Sequence, residues 1–119
     1  MFADPQTVTI NAIANTLART QAGVDSGLFS KDDANVKLNV KHTYANRIRR
    51  LVRLDHRKVA VDPLATGYNK EYSASVYLVI DHPQVGYSIA EVKQIVDGLT
   101  AWLTASTGAN VTKVIGGES

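Results

Sequence analysis

The chain has no cysteine, which excludes disulfide staples, thiolate zinc sites and cysteine nucleophiles and leaves packing or self-association to supply stability. It also lacks long apolar runs. The longest, Val76-Tyr77-Leu78-Val79-Ile80, is far short of the roughly 18 residues that span a bilayer, so no transmembrane helix and no membrane partner are expected. The opening Met1-Phe2-Ala3-Asp4-Pro5 has neither a basic n-region nor an apolar h-region, and no secretory signal is expected. What is present is the composition of a folding chain: 119 residues, 45% apolar and 20% charged. That length predicts one domain, 1–119, with a small compact core.

Charge is scarce in net terms, +2, but strongly segregated. Between residues 37 and 58 lie Lys37, Lys41, Arg47, Arg49, Arg50, Arg53, Arg57 and Lys58 against Asp55 alone. Eight cations against one carboxylate make this segment +7, and five cations against ten carboxylates make the remainder −5. A basic surface concentrates polyanions and releases the counterions condensed on nucleic acid. The same charge also suits a merely solvated strand pair, so the geometry has to decide.

Residues 36–44 alternate apolar and polar with a period of two, the signature of a half-buried strand with even positions toward the core. From Arg47 to Val61 the parity repeats: Ile48, Val52 and Leu54 are even, while Arg47, Arg49, Arg53 and Arg57 are odd. Arg50 and Lys58 break the pattern. Ala45-Asn46 can join the two runs, predicting a long hairpin over 36–61 with its cations on one face. A third strand is predicted over about 70–82, with Tyr72, Ala74, Val76, Leu78 and Ile80 inward and Ser73, Ser75 and Tyr77 outward. Residues 62–69 connect it through Pro63 and Gly67. Upstream, residues 7–11, 12–20 and 24–29 are weaker strand candidates separated by turn formers. Ser88-x-x-Glu91 is a capping box, and Val92, Ile95, Val96, Leu99, Trp102 and Leu103 then fall on one helical stripe, predicting a helix over about 88–105 that stops near Gly108. Residues 111–115 can add a short helical turn or strand. Strands first and helix last predict an α+β domain with the helix on the even face. Five or six strands at about 4.8 Å spacing form a sheet that one helix about 10 Å across cannot cover. A homodimer whose helices close over the partner's sheet is the economical way to bury the rest.

In this order of features the whole chain resembles the coat proteins of small single-stranded RNA bacteriophages. The pieces that carry the resemblance are the basic, alternating 36–42, the strand 47–54, and the pairing of strand 73–80 with helix 91–99. The resemblance implies an N-terminal β-hairpin, an antiparallel sheet of about five strands, and a C-terminal helix or helices, within 88–116, packed on the partner's sheet in an intertwined homodimer. It implies icosahedral assembly in the host bacterial cytoplasm, a virion location, and an exposed sheet face that packages genomic single-stranded RNA and can bind an operator hairpin as a translational repressor. Carried over by position, the RNA-contacting residues are Lys37, Asn39, Lys41 and Thr43 on one strand, Arg47, Arg49 and Arg53 on the next, and Ser73, Ser75 and Tyr77 on the third. The resemblance also makes 62–69 an assembly loop, with Pro63, Leu64, Gly67 and Tyr68 as contact residues. The third strand lacks the asparagine expected on its outer face. The residues suit RNA independently of the resemblance: fixed cations bind phosphate, Asn39, Ser73 and Ser75 can read base edges, and Tyr77 can stack an extruded base.

Two other readings use the same residues. His42, His56 and His82 are raw material for a zinc or acid/base enzyme, but their spacing matches no ligand motif and no carboxylate motif accompanies them. No catalytic site, metal or cofactor is therefore expected. A small cellular RNA- or DNA-binding regulator using the basic sheet is the other reading. Asn110-Val111-Thr112 matches a glycosylation sequon by chance, and Gly116-Gly117 lacks the spacing of a phosphate loop.

Overall fold

A computed structural model describes residues 2–64 and 67–119. The chain divides into two compact units, 1–81 and 82–119. The first holds β1 (Gln6–Ile10), β2 (Ile13–Ala22), β3 (Ser26–Ser30), β4 (Val36–Tyr44), β5 (Arg47–Val61) and all but the last residues of β6 (Asn69–Pro83); the second holds α1 (Ile89–Ile115). The strands form one antiparallel sheet in chain order.

Six strands, rather than about five, make up the sheet, because the N-terminal hairpin is continuous with it. Residues 13–17 of β2 pair with β1, while residues 18–22 pair with β3. One strand thus serves two neighbours with different halves, and a register shift between Arg19 and Gln21 marks where it turns. A bulge of this kind bends a strand and strengthens its twist. The β1–β2 turn is a two-residue connection in which Ile10 sits opposite Ile13 and both Asn11 and Ala12 have positive φ, 51° and 62°. Such turns match the right-handed twist of the flanking strands, and Asn tolerates the left-handed conformation well.

The core is small and belongs to the first unit. Leu17, Phe29 and Val36 are buried, with Val8, Ile10, Leu38 and Leu54 packed against them. Register explains the set: Phe29 is opposite Leu38, and Leu38 is opposite Leu54, so these side chains share a sheet face. Removing a Leu or Phe side chain from water contributes roughly 1.5–3 kcal/mol. The Arg19 guanidinium lies 5.2 Å from the centre of the Phe29 ring. Buried Asn15 is satisfied, its Nδ2 donating to the carbonyls of Val8 and Ile13 at 3.2 Å.

In the second unit Ser88 is the N-cap, its Oγ accepting the Glu91 backbone N–H at 3.2 Å. The helix is interrupted where the sequence predicts its end: residues 105–108 have non-helical backbone, and Ser106, Thr107 and Gly108 all have positive φ. Helical structure then resumes and runs to Ile115. Asn110 Nδ2 donates to the Trp102 carbonyl at 2.8 Å, giving a partner to an acceptor that the break would leave without a helical N–H. No helix among the described residues is long and apolar enough to cross a membrane.

Candidate nucleic-acid interface

Antiparallel pairing brings the odd residues of β4 and β5 onto one face. Lys37 is opposite Asp55, Asn39 opposite Arg53, Lys41 opposite Leu51, and Thr43 opposite Arg49. The even residues, Val36, Val40, Val52 and Leu54 among them, take the opposite face because successive side chains alternate. The four β4 residues and three β5 arginines proposed from sequence therefore share one surface. Arg50, which breaks the parity, is on the other: its Nη1 is 3.0 Å from His42 Nδ1 and its guanidinium 5.7 Å from the Tyr44 ring centre.

β6 extends this surface through side-chain contacts. Arg47 pairs with Asp81 at 3.1 Å, Arg53 Nη2 donates to Ser75 Oγ at 3.2 Å, and Arg57 pairs with Glu71 at 3.4 Å. The partners advance along β5 and recede along β6, as antiparallel strands require. Ser75 is thereby set beside Arg53, while Ser73 lines the same shallow hollow. Tyr77 is 63% exposed, with the Arg53 guanidinium 5.9 Å from its ring centre.

Three carboxylates and one arginine escaped the carry-over, although parity marks them: Asp55, Glu71, Asp81 and Arg57 are all odd residues of these strands. Arg57 is engaged on several sides, donating to Asn35 Oδ1 and the Asp33 carbonyl besides pairing with Glu71. Among the described residues Lys37, Lys41 and Arg49 form no ion pair, whereas Arg47, Arg53 and Arg57 each have one. Among these residues Lys41 and Arg49 are thus free, Lys37 faces the Asp55 charge without an ion pair, and Arg47, Arg53 and Arg57 are restrained.

Asp55 stands at the centre. Its Oδ1 accepts from Ser75 Oγ at 2.5 Å and from Arg53 Nε at 2.9 Å. The Ser75 hydroxyl above all, helped by Arg53 and by the charge of Lys37, holds the Asp55 carboxyl below its ordinary range against the opposing effect of burial. The charged Asp55 therefore fixes the Arg53 fork beside Tyr77. Cations for phosphate, a restrained arginine–tyrosine pair for stacking and hydroxyls for base edges are the chemistry of single-stranded RNA recognition.

The remaining candidates lie elsewhere. At the β5–β6 connection Asp62 N donates to the Tyr68 carbonyl at 2.9 Å, and Leu64 N to Asp62 Oδ1 at 2.9 Å. Leu64 and Tyr68 are strongly exposed, and Gly67 has φ +95°; Ala65 and Thr66, within the 62–69 loop, lie outside the described residues. No residue of α1 is buried: Val92, Val96 and Leu103 are half-buried, and Ile95, Leu99 and Trp102 are exposed. His42 meets Arg50, His56 is opposite Val36, and His82 Nδ1 is 2.9 Å from the Pro83 carbonyl. Among the described residues no three His, Asp or Glu side chains converge as a metal site.

A six-stranded antiparallel sheet followed by an interrupted C-terminal helix is the fold of levivirus-like bacteriophage coat proteins. The protein in the virus-like particle of bacteriophage AVE019 matches with TM-score 0.81 and 13% identity over 96% of this chain and 94% of that one. The bacteriophage EMS014 coat protein matches at 0.76 and 13%, over 99% and 98%. The capsid protein of bacteriophage GA matches at 0.66 and 9%, over 98% and 95%. At such identities the likeness is one of fold. No protein-family model and no curated protein matches the chain.

Proposed function

We propose that this protein is a structural, non-catalytic coat subunit that dimerises, assembles into a closed icosahedral shell and packages single-stranded RNA on the odd face of β4–β6. The observation that carries the reading is the joining of a coat-protein fold over nearly the whole chain with a basic, aromatic-bearing face on its central strands. Dimerisation has two supports. β6, 15 residues long, is an edge strand, and a long edge with exposed Val76, Tyr77 and Val79 invites pairing with another chain. The Ile95, Leu99 and Trp102 stripe is apolar and exposed within one chain, as expected of a surface that a partner covers. The protein's place is then the virion, with assembly in the cytoplasm of the host bacterium.

The same face supports a second use, binding of an RNA hairpin to repress translation. The Arg53–Tyr77 pair favours it, since stacking of an extruded base is how RNA loops are recognised. A small cellular nucleic-acid regulator remains the competing reading. Size-exclusion chromatography and electron microscopy of the purified protein separate them: the proposal requires particles that hold nuclease-protected RNA, whereas RNA-free dimers at high concentration would sink it.

A further inference from the structure

A carboxylate at the centre of a polyanion-binding face is an electrostatic liability, because it repels the phosphates that the surrounding cations attract. Asp55 occupies that position, opposite Lys37 and bonded to Arg53 and Ser75. Holding Arg53 explains only half of the group. Both bonds end on Oδ1, and Oδ2 accepts from no described residue. The side chain keeps 35% of its exposure, and it borders a hollow of about 260 Å³ lined by Lys37, Arg53, Ser73 and Ser75. That volume is below the roughly 300–1,000 Å³ of drug-sized sites and suits a single planar base.

The chemistry of the hollow discriminates among bases. A charged carboxylate only accepts hydrogen bonds, and Asp55 is held charged by its neighbours. Uracil and cytosine each turn two acceptors and one donor group toward such an edge, and adenine turns one amino group beside an acceptor nitrogen. Guanine alone presents two adjacent donors, N1–H and the N2 amine, and its O6 acceptor suits a neighbouring ammonium such as that of Lys37. Resting on the RNA-binding reading above, we propose that the Asp55 hollow is a base-specific subsite that takes one extruded guanine of single-stranded RNA. Asp55 Oδ2, the oxygen left open by Arg53 and Ser75, accepts from N1–H and N2–H together, and the Arg53 guanidinium, which lines the hollow, offers the plane against which the base stacks. Asp55 is then a specificity-determining residue, while Lys41 and Arg49 supply affinity without sequence preference.

The test is competition binding of the full-length protein to uridine oligomers of roughly ten nucleotides, a length within ordinary single-strand site sizes. The oligomers carry guanosine, inosine, adenosine or cytidine at one central position. The guanosine oligomer should bind about tenfold tighter than all-uridine, the effect of one good bidentate contact, with inosine intermediate because it lacks the N2 amine. Asp55→Asn keeps an oxygen for Arg53 and Ser75 but replaces the second acceptor with a donor. It should abolish the guanosine preference, so that D55N binds the guanosine and all-uridine oligomers with equal affinity. Equal wild-type affinities for guanosine and uridine oligomers, with binding still salt-dependent, would overturn the subsite and leave the RNA face standing. A guanosine preference retained in D55N would do the same. Binding of no oligomer at all would overturn both readings. If D55N does not fold, the wild-type inosine-to-guanosine ratio decides: a ratio near one overturns the subsite.

Discussion

Arg47 and Asp81 join β5 to β6 with Nε 3.1 Å from Oδ1, and Arg57 and Glu71 do the same further along the strand pair at 3.4 Å. If the face binds RNA as proposed, each pair holds a cation that a phosphate would otherwise claim. On the RNA-binding reading an arginine in such a pair has to exchange one anion for another, whereas Lys41 and Arg49 exchange only water and small ions.

The salt dependence of RNA binding should reveal this difference. Each fully engaged phosphate contact contributes roughly 0.7 to the log–log slope on single strands. Lys41→Ala and Arg49→Ala should each lower the slope by about that amount, and Arg47→Ala by clearly less, because loss of Arg47 also releases Asp81. Filter binding across a salt series measures it. Equal slopes for all three variants would show that the ion pairs do not restrain the cations.

Acid should loosen the site through Asp55. Its carboxyl is held below the ordinary value, which is about 3.9 for Asp, so it binds fewer protons folded than unfolded at intermediate pH. Its stabilisation is present above the unfolded value and is lost as pH falls through the folded one. Ser75→Ala removes the largest cause of the shift. In that variant the Asp55 titration, followed by carboxyl carbon NMR, should move up toward the ordinary range, and acid unfolding followed by circular dichroism should begin at a higher pH than in wild type.

Core and helix substitutions should separate folding from association. Phe29 is 1% exposed in the small core, and Phe29→Ala should cost about 3–5 kcal/mol, enough to unfold most of a small domain. Trp102 is 53% exposed, so Trp102→Ala should leave secondary structure in place and abolish the dimer. Analytical ultracentrifugation at micromolar concentration reads the outcome. A stable W102A dimer would remove this residue from the interface.

Replacing residues 63–68 with a Gly/Ser linker should leave soluble, RNA-binding dimers that no longer close into particles. Leu64 and Tyr68 are exposed at 95% and 72%, and apolar groups at a loop tip serve contacts better than solvation. Normal shells in the electron microscope would make the loop a connector only, and unfolded protein would make it part of the core.

The odd face of β4 and β5 is legible in the chain because a strand's period of two writes burial directly into residue order, and the run from Val36 to Leu54 keeps that order almost unbroken. The capped start of α1 and its interruption before Gly108 are equally local, since a cap is a contact between residues three apart and a left-handed backbone favours glycine. What local order could not express is which strand meets which. β2 passes from β1 to β3 after Leu17 and carries a bulge beyond Arg19, and nothing in residues 13–22 taken alone distinguishes one partner from two, so the continuity of the N-terminal hairpin with the rest of the sheet emerged only on folding. The same holds at the site. Lys37, Arg49 and Arg53 are visible as cations in any reading, but that Ser75 holds Asp55, and that Asp81 and Glu71 restrain Arg47 and Arg57, depends on the register of two strands joined by a long loop. Parity assigns a residue to a face; only long-range pairing, set by the free energy of the whole sheet, assigns it a neighbour.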